Sequence, residues 1–462
     1  MRDEQQIPAG RREHLWALGA SAFLLVVAIA YGALLERLQD ATAGTFEAPW
    51  RRELLRRILS GLEPELIVLS LAALAFALAI RWRRKLDELA QRFVHFGGVG
   101  ALTLLACAVL ALLGYHYSTV VWERFGNSCW DNYCTYADRL EAWLTTGDRA
   151  ARSELLGFMV SDFHSVSPVA PLLIALLKTL TGLSTLSAYR LCSALSTCAF
   201  AALTCFWLVP AQARGRSRLA VLVLMACNMA TVRCFAFPQT DAFATLWITL
   251  LLCVGIAWRE RPTAGRALGL VIVLASGVLV KLSFLPLLAL LPLQGALDLA
   301  VALARGEGGS GKRLARLGLD LVLCVGAPLA CFYAFCQGVG LMPMFWEQLR
   351  MVPTEDSTLL KHLFALGCVA LGLVVAAVYG GRGLTARERM LALFVALFLL
   401  ALWGSRASGY SRYYLAIVPA LAVLAERGVT RLGKQLGPSV AGAFVLLCAA
   451  AGYAGLQAQI LD

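Results

Sequence analysis

The stretch "NSCWDNYCTYADRL", 127–140, sets one carboxylate among aromatic rings in a chain that is otherwise mostly apolar. Asp131 stands between Trp130 and Tyr133, with Tyr136 and Trp143 further along. A carboxylate between aromatic walls can take the proton of an attacking hydroxyl while the rings stack on sugar faces. For the rings alone, the plainer reading is an interfacial aromatic belt beside a solvated acid. Cys129 and Cys134 lie close enough in sequence to pair on an oxidising face, or to stay as thiols.

Further groups join this set by position. Asp241, in "FPQTDAF", opens an apolar run after a loop without basic residues. It reads as a helix-start acid complementing the helix dipole, or as an ionisable group beside a cavity. Lys281 lies between two apolar runs, and Arg412, followed by Tyr413, opens another. Such cations either snorkel to the interface or hold a lipid phosphate, where they stabilise the charge on a leaving group. His164, in "DFHSVSP", is a candidate to join them, although a lone histidine is more often structural. Asp138 and Asp148 read as solvated helix-surface charges.

The elements that must position these groups are membrane helices. The 462 residues are 59% hydrophobic and 15% charged, and the mean hydropathy is +0.71, which excludes an ordinary soluble domain. The net charge of +12 comes in short clusters between apolar runs, so it points to membrane topology and not to nucleic acid. The 14 cysteines are mostly scattered through apolar runs and show no metal-finger spacing. At roughly 17–25 apolar residues per crossing, the spans expected are 15–35, 65–80, 94–114, 187–209, 219–236, 241–258, 267–281, 283–303, 317–337, 361–379, 390–404, 413–426 and 438–457. The first is too long for a signal-peptide core and reads as a retained span.

Charge alternation sets the orientation. Clusters around Arg83, Arg216, Arg261, Arg313, Arg387 and Arg431 are cytoplasmic, whereas 237–240 carries no basic residue and 338–360 only Arg350. The chain must then cross once between 114 and the Arg214 cluster. Span 187–209 is the better crossing, so 166–182, with Pro168, Pro171 and Lys178, is a juxtamembrane helix. Residues 115–186 form one large extracytoplasmic segment. Arg37, Arg51, Arg52, Arg56 and Arg57 would lie outside, and 47–63 reads as an interfacial amphipathic helix.

The order of these features resembles that of the GT-C glycosyltransferases, in particular relatives of protein O-mannosyltransferases and lipid A aminoarabinose transferases. "DNYCTYADRLEAWLTTGD" matches their acid followed by tyrosine and alanine in the first outer loop, here Asp131, Tyr136 and Ala137. "SPVAPLLIALLKTLTGL" matches a proline-led amphipathic helix, and "AYRLCSALSTCAF" an arginine-opened span. Asp241, Lys281 and "RYY" (Arg412, Tyr413, Tyr414) with Pro419 complete the order. Asn132 stands where many relatives carry a second acid, which argues against a bound divalent metal. The Asp-to-Tyr spacing is about one residue longer than in the family, and the two N-terminal spans are additional.

The resemblance implies an all-α polytopic membrane protein with a GT-C-like bundle of about 13 transmembrane helices, a large extracytoplasmic loop and juxtamembrane helices. It divides the chain into extra N-terminal helices (1–93), a catalytic membrane core (94–426) and a C-terminal helix (427–462). It implies an inverting transfer of a sugar from a polyprenyl-phosphate donor to a glycan, lipid or protein acceptor, outside a bacterial inner membrane. Asp131 would be the base and Asp241 would orient substrate. Lys281 and Arg412 would hold the donor phosphate, with Tyr133, Tyr136, His164 and Tyr413 lining the site. A transporter or lipid-linked-sugar flippase is the alternative, but it calls for inverted repeats and broken helices, and the chain shows no internal repeat. A structural subunit of an envelope complex, with Asp131 dispensable, is the third reading.

Overall fold

Among the residues described by the computed structural model, nearly all are helical and none is in a strand. Those residues are scattered positions between 15 and 85, then 131–147, 149–151, 153–155, 168–210, 215–226, 228–236, 240–340, 342, 359–381, 383–404 and 411–459. Span 94–114, the helix expected over 47–63, Cys129 and His164 lie outside them. The first two predicted spans are partly described. They meet through Ser21 and Ser70, whose hydroxyls each donate to the other's carbonyl at 2.9 Å.

Two helices precede the main bundle: α1 (Asp131–Thr146) and α2 (Val169–Thr181). Pro168 starts α2, and Gly182, in the left-handed region at φ 69°, ends it by donating its N–H to the Lys178 carbonyl. A helix is expected here, over 166–182, from Pro168 and Pro171. Helix α3 (Thr185–Leu203) follows at once, capped by Ser184, whose hydroxyl accepts from the Ser187 N–H. It runs on through a π turn, Thr204–Leu208, to a length that can cross a membrane.

The predicted span 219–236 is two helices, α4 (Gly215–Ala226) and α5 (Met229–Ala236). Asn228 sits at the break. Its side chain accepts from the Ala230 N–H and donates to the Val369 carbonyl, replacing bonds that the interruption removes. Next come α6 (Thr240–Glu260) and α7 (Ala264–Val280), a 3-10 segment Leu282–Ala289 containing Pro286, and α8 (Leu290–Ala304). Helix α9 (Ser310–Leu321) passes through a π turn into α10 (Ala327–Val339). The remaining helices are α11 (Leu359–Gly380), α12 (Ala386–Gly404), α13 (Val418–Leu436), preceded by a 3-10 turn Ser411–Ile417, and α14 (Pro438–Gln459).

The core lies where α11 packs on α13. Gly380 and Gly428 allow the two backbones to touch: a Cβ on Gly428 would fall onto the Ala376 carbonyl. This is the small-residue contact that membrane helices use in place of a hydrophobic driving force. Some polar groups between the helices pair with one another, as in Trp247 Nε1–H donating to Ser276 Oγ at 2.9 Å between α6 and α7. Large apolar side chains point outward along the helices, among them Leu195, Phe206, Leu268, Ile272 and Leu400. In water that much exposed apolar surface is a liability; in a bilayer it is the surface that faces lipid. The protein is a multi-pass integral membrane protein.

Candidate active site

Asp241 lies in the first turn of α6, as its favourable interaction with the helix dipole predicts, and is buried. Lys281 follows the last residue of α7 in an extended conformation, φ −162° and ψ 132°. The chain folds back directly after it. The Phe284 N–H donates to the Lys281 carbonyl at 2.9 Å, starting the 3-10 segment. The buried Phe284 ring then lies on Gly277, where a Cβ would stand 2.5 Å from the ring. This fold-back brings Lys281 Nζ to 2.5 Å from Asp241 Oδ1 across 40 residues of sequence.

Tyr413, on the 3-10 turn that precedes α13, brings its ring to 4.8 Å from Lys281 Nζ. One ammonium therefore sits between a carboxylate and an aromatic face, and about a quarter of the lysine side chain stays accessible. An ammonium has three donors, and Asp241 accepts from one of them. The others can meet a phosphate oxygen.

Helix α1 closes over this end of the bundle. The Tyr133 ring lies 6.0 Å from Tyr189 on α3, and Tyr189 lies 6.2 Å from Phe243, two residues beyond Asp241. Around these rings Ala137, Ala170, Ile174, Ala188 and Val280 form a buried apolar cluster that joins α1, α2, α3, α6 and α7. Tyr136, three residues along the same helix, belongs to the main core and is nearly inaccessible. Burial there holds its hydroxyl well above the ordinary tyrosine pKa, so it is no proton acceptor near neutrality.

An ionic clasp holds α1 in place. Lys178 on α2 lies 2.7 Å from Asp138 and 2.5 Å from Glu141, and Asp138 also accepts from the Thr185 hydroxyl at the start of α3. Asp138, expected as a solvated charge, is exposed but tied to two other helices. These hydrogen bonds, to Asp138 first and then Glu141, push the Lys178 pKa up.

Of the expected site residues, Tyr133, Asp241, Lys281 and Tyr413 come together, and Tyr136 lies behind them in the core. Asp131 begins α1, the helix that carries Tyr133, but its side chain and that of Arg412 lie outside the described residues, as does His164. Two contributors were not among the expected site residues. Tyr189 bridges Tyr133 to Phe243, and His362 Nδ1 lies 3.0 Å from the hydroxyl of Tyr414, beside Tyr413. Tyr189 could have been sought as the aromatic residue preceding Arg190 in the arginine-opened span. His362 had only its place at the start of an apolar run.

This helix arrangement is shared with a solved structure. ArnT from Cupriavidus metallidurans bound to undecaprenyl phosphate matches with a TM-score of 0.50 at 16% identity, covering 78% of this chain and 77% of that one. The apo state of ArnT from the same organism matches over the same shares with a TM-score of 0.49 at 16% identity. The Archaeoglobus fulgidus oligosaccharyltransferase matches with a TM-score of 0.39 at 14% identity, covering 64% of this chain and 44% of that one. No family model matches the chain, and no curated protein matches it in sequence. The likeness to ArnT shows the fold alone: an all-α polytopic membrane fold shared with that protein.

Proposed function

We propose that this protein is a membrane glycosyltransferase that moves a sugar from a polyprenyl-phosphate donor to an acceptor on the extracytoplasmic face of a bacterial inner membrane. The observation that carries the reading is the Asp241–Lys281 pair against Tyr413 beneath α1, in the fold of a protein solved with undecaprenyl phosphate. Asp241 holds the ammonium in place while Lys281 and Arg412 meet the donor phosphate. Asp131, at the start of α1, takes the proton of the acceptor hydroxyl as that oxygen attacks the anomeric carbon. The bond from that carbon to the phosphate oxygen breaks, configuration inverts, and polyprenyl phosphate leaves with its charge countered by the two cations. Tyr133 supplies an aromatic wall. The Asn at 132, where many relatives of the resembled family carry a second acid, favours a transfer in which cationic side chains face the phosphate.

The test is incubation of purified protein with a panel of polyprenyl-phosphate sugars and candidate glycan, lipid and peptide acceptors. Donor consumption with release of polyprenyl phosphate is expected, and Asp131→Asn should slow it about 100- to 10,000-fold, the usual effect of losing a general base. Passage of an intact lipid-linked sugar across a vesicle membrane without consumption would instead identify a flippase. Undiminished turnover in Asp131→Asn would take the base role from that residue.

A further inference from the structure

A cavity of about 720 Å³ opens at the opposite end of α6 from the Asp241–Lys281 pair. Asp241 is in the first turn of that helix and Arg259 in the last, so roughly 27 Å of helix, close to the thickness of a bilayer core, separates the two places. Charge alternation puts the cavity end in the cytoplasm. Six basic and two acidic side chains line it, drawn from α6, α8, α9, α12 and the loop between α8 and α9. Topology explains cations in cytoplasmic loops. It does not explain why they converge on one walled cavity.

The floor is built. Asp320, fully buried on α9, accepts from Trp258 Nε1–H at 2.9 Å and lies 3.7 Å from Arg259 Nη2 and 3.4 Å from Arg316 Nε. Arg316 stacks over Trp258 at 4.3 Å and donates to its carbonyl, while Arg259 donates to the Leu291 carbonyl at 2.9 Å. Gly295 lets α8 approach this floor, since a Cβ there would stand 3.3 Å from Arg259 Nη2. One carboxylate thus orients two guanidinium groups and offsets only one of their charges.

At the rim Glu307 pairs with Arg313 at 2.8 Å and with Arg305 at 3.8 Å, and two further cations are left over. Lys312 makes no ion pair among the described residues, and Arg389 donates only to the Leu384 carbonyl at 3.2 Å. Lys312 and Arg313 occupy the first turn of α9, which has no acid there and no capping side chain. Cations at a helix N-terminus oppose its dipole, and an anion there relieves both. Beside the cavity, Leu293, Leu297 and Val301 are each partly exposed and recur every fourth residue along α8, forming an apolar strip that runs from the cavity along the lipid-facing side.

We propose that this cavity binds the phosphate of an anionic phospholipid of the cytoplasmic leaflet, with an acyl chain laid on the Leu293–Leu297–Val301 strip. The site is separate from the transfer site and stands whether or not that reading holds. A soluble phosphate would use the cations and leave the strip unoccupied, so the two sources can be told apart.

The experiment titrates delipidated protein in neutral detergent with dioctanoyl phosphatidylglycerol, dioctanoyl phosphatidylcholine and glycerol 3-phosphate, reading binding by native mass spectrometry and thermal shift. Phosphatidylglycerol should bind well above the other two. The double variant Lys312→Gln/Arg389→Gln, changed only at the exposed rim, should lose about tenfold in affinity for it, two screened charge contacts being removed. Asp298→Asn removes a rim acid 4.0 Å from Arg259 and should bind more tightly, in the opposite direction from any loss through misfolding. Glycerol 3-phosphate binding as tightly as phosphatidylglycerol would overturn the lipid assignment. Unchanged phosphatidylglycerol affinity in both variants would overturn the site.

Discussion

Lys281→Met separates a structural ion pair from a donor-binding group. The side chains of Lys281 and Asp241 are 26% and 9% exposed, and Nζ and Oδ1 are 2.5 Å apart. Removing the ammonium leaves a buried carboxylate without its cation, a change that typically costs about 3–5 kcal/mol. Loss of the contact with Tyr413 adds roughly 0.5–2 kcal/mol. Lys281→Met should therefore lower the apparent Tm in detergent and also abolish transfer, which alone proves nothing about the donor. The second variant, Asp241→Asn/Lys281→Met, removes both charges and leaves no carboxylate uncompensated. It should recover most of the lost stability and none of the transfer, because the phosphate still lacks its cation. Lys281→Arg keeps the charge but replaces a compact ammonium by a planar fork, and it should retain partial activity. The assay is apparent Tm with initial rate and donor affinity for all four proteins. Recovery of transfer to within a few-fold of the parent in the double variant would reduce the pair to a structural strut. An unchanged Tm in Lys281→Met would show that Asp241 does not depend on it.

Gly277→Ala should displace the Phe284 ring and with it the fold-back that aims Lys281, raising the KM for donor more than it lowers expression; an unchanged KM refutes that positioning. The Lys178 clasp has a worked pH sign. Because its pKa is raised on folding, its contribution is complete below the ordinary lysine value of 10.5 and is lost as pH climbs through the higher folded value. Limited proteolysis between α1 and α2 should thus accelerate above that range in the parent, and already at pH 8 in Lys178→Met. With native cysteines removed, a cysteine at the exposed Thr146 should react with an impermeant thiol reagent in intact cells, and one at the exposed Ser310 should not. Labelling at 310 from outside would invert the orientation.

The sequence by itself determined the helical membrane class, most of the boundaries from 185 onward and the presence of a helix within 166–182. These depend on local quantities, the length of apolar runs and the placing of Pro, Gly, Ser and Thr at their ends, so each segment carries its own signal. The same local reading found Asp241, Lys281 and Tyr413 as unusual residues at the ends of apolar runs. It could not show that Asp241 and Lys281 form one ion pair, because that contact depends on α6 and α7 packing side by side and on the turn that Gly277 and Phe284 permit. Nor could it show that Tyr133 and Tyr136, three positions apart on α1, enter different clusters, or that Asp138 joins α2 and α3. The breaks at Asn228 and at Leu282–Ala289 were hidden for a related reason. Apolar content continues across them while the backbone bonds are taken over by a side chain or by a 3-10 turn, and only the neighbouring helices decide where that exchange is stable.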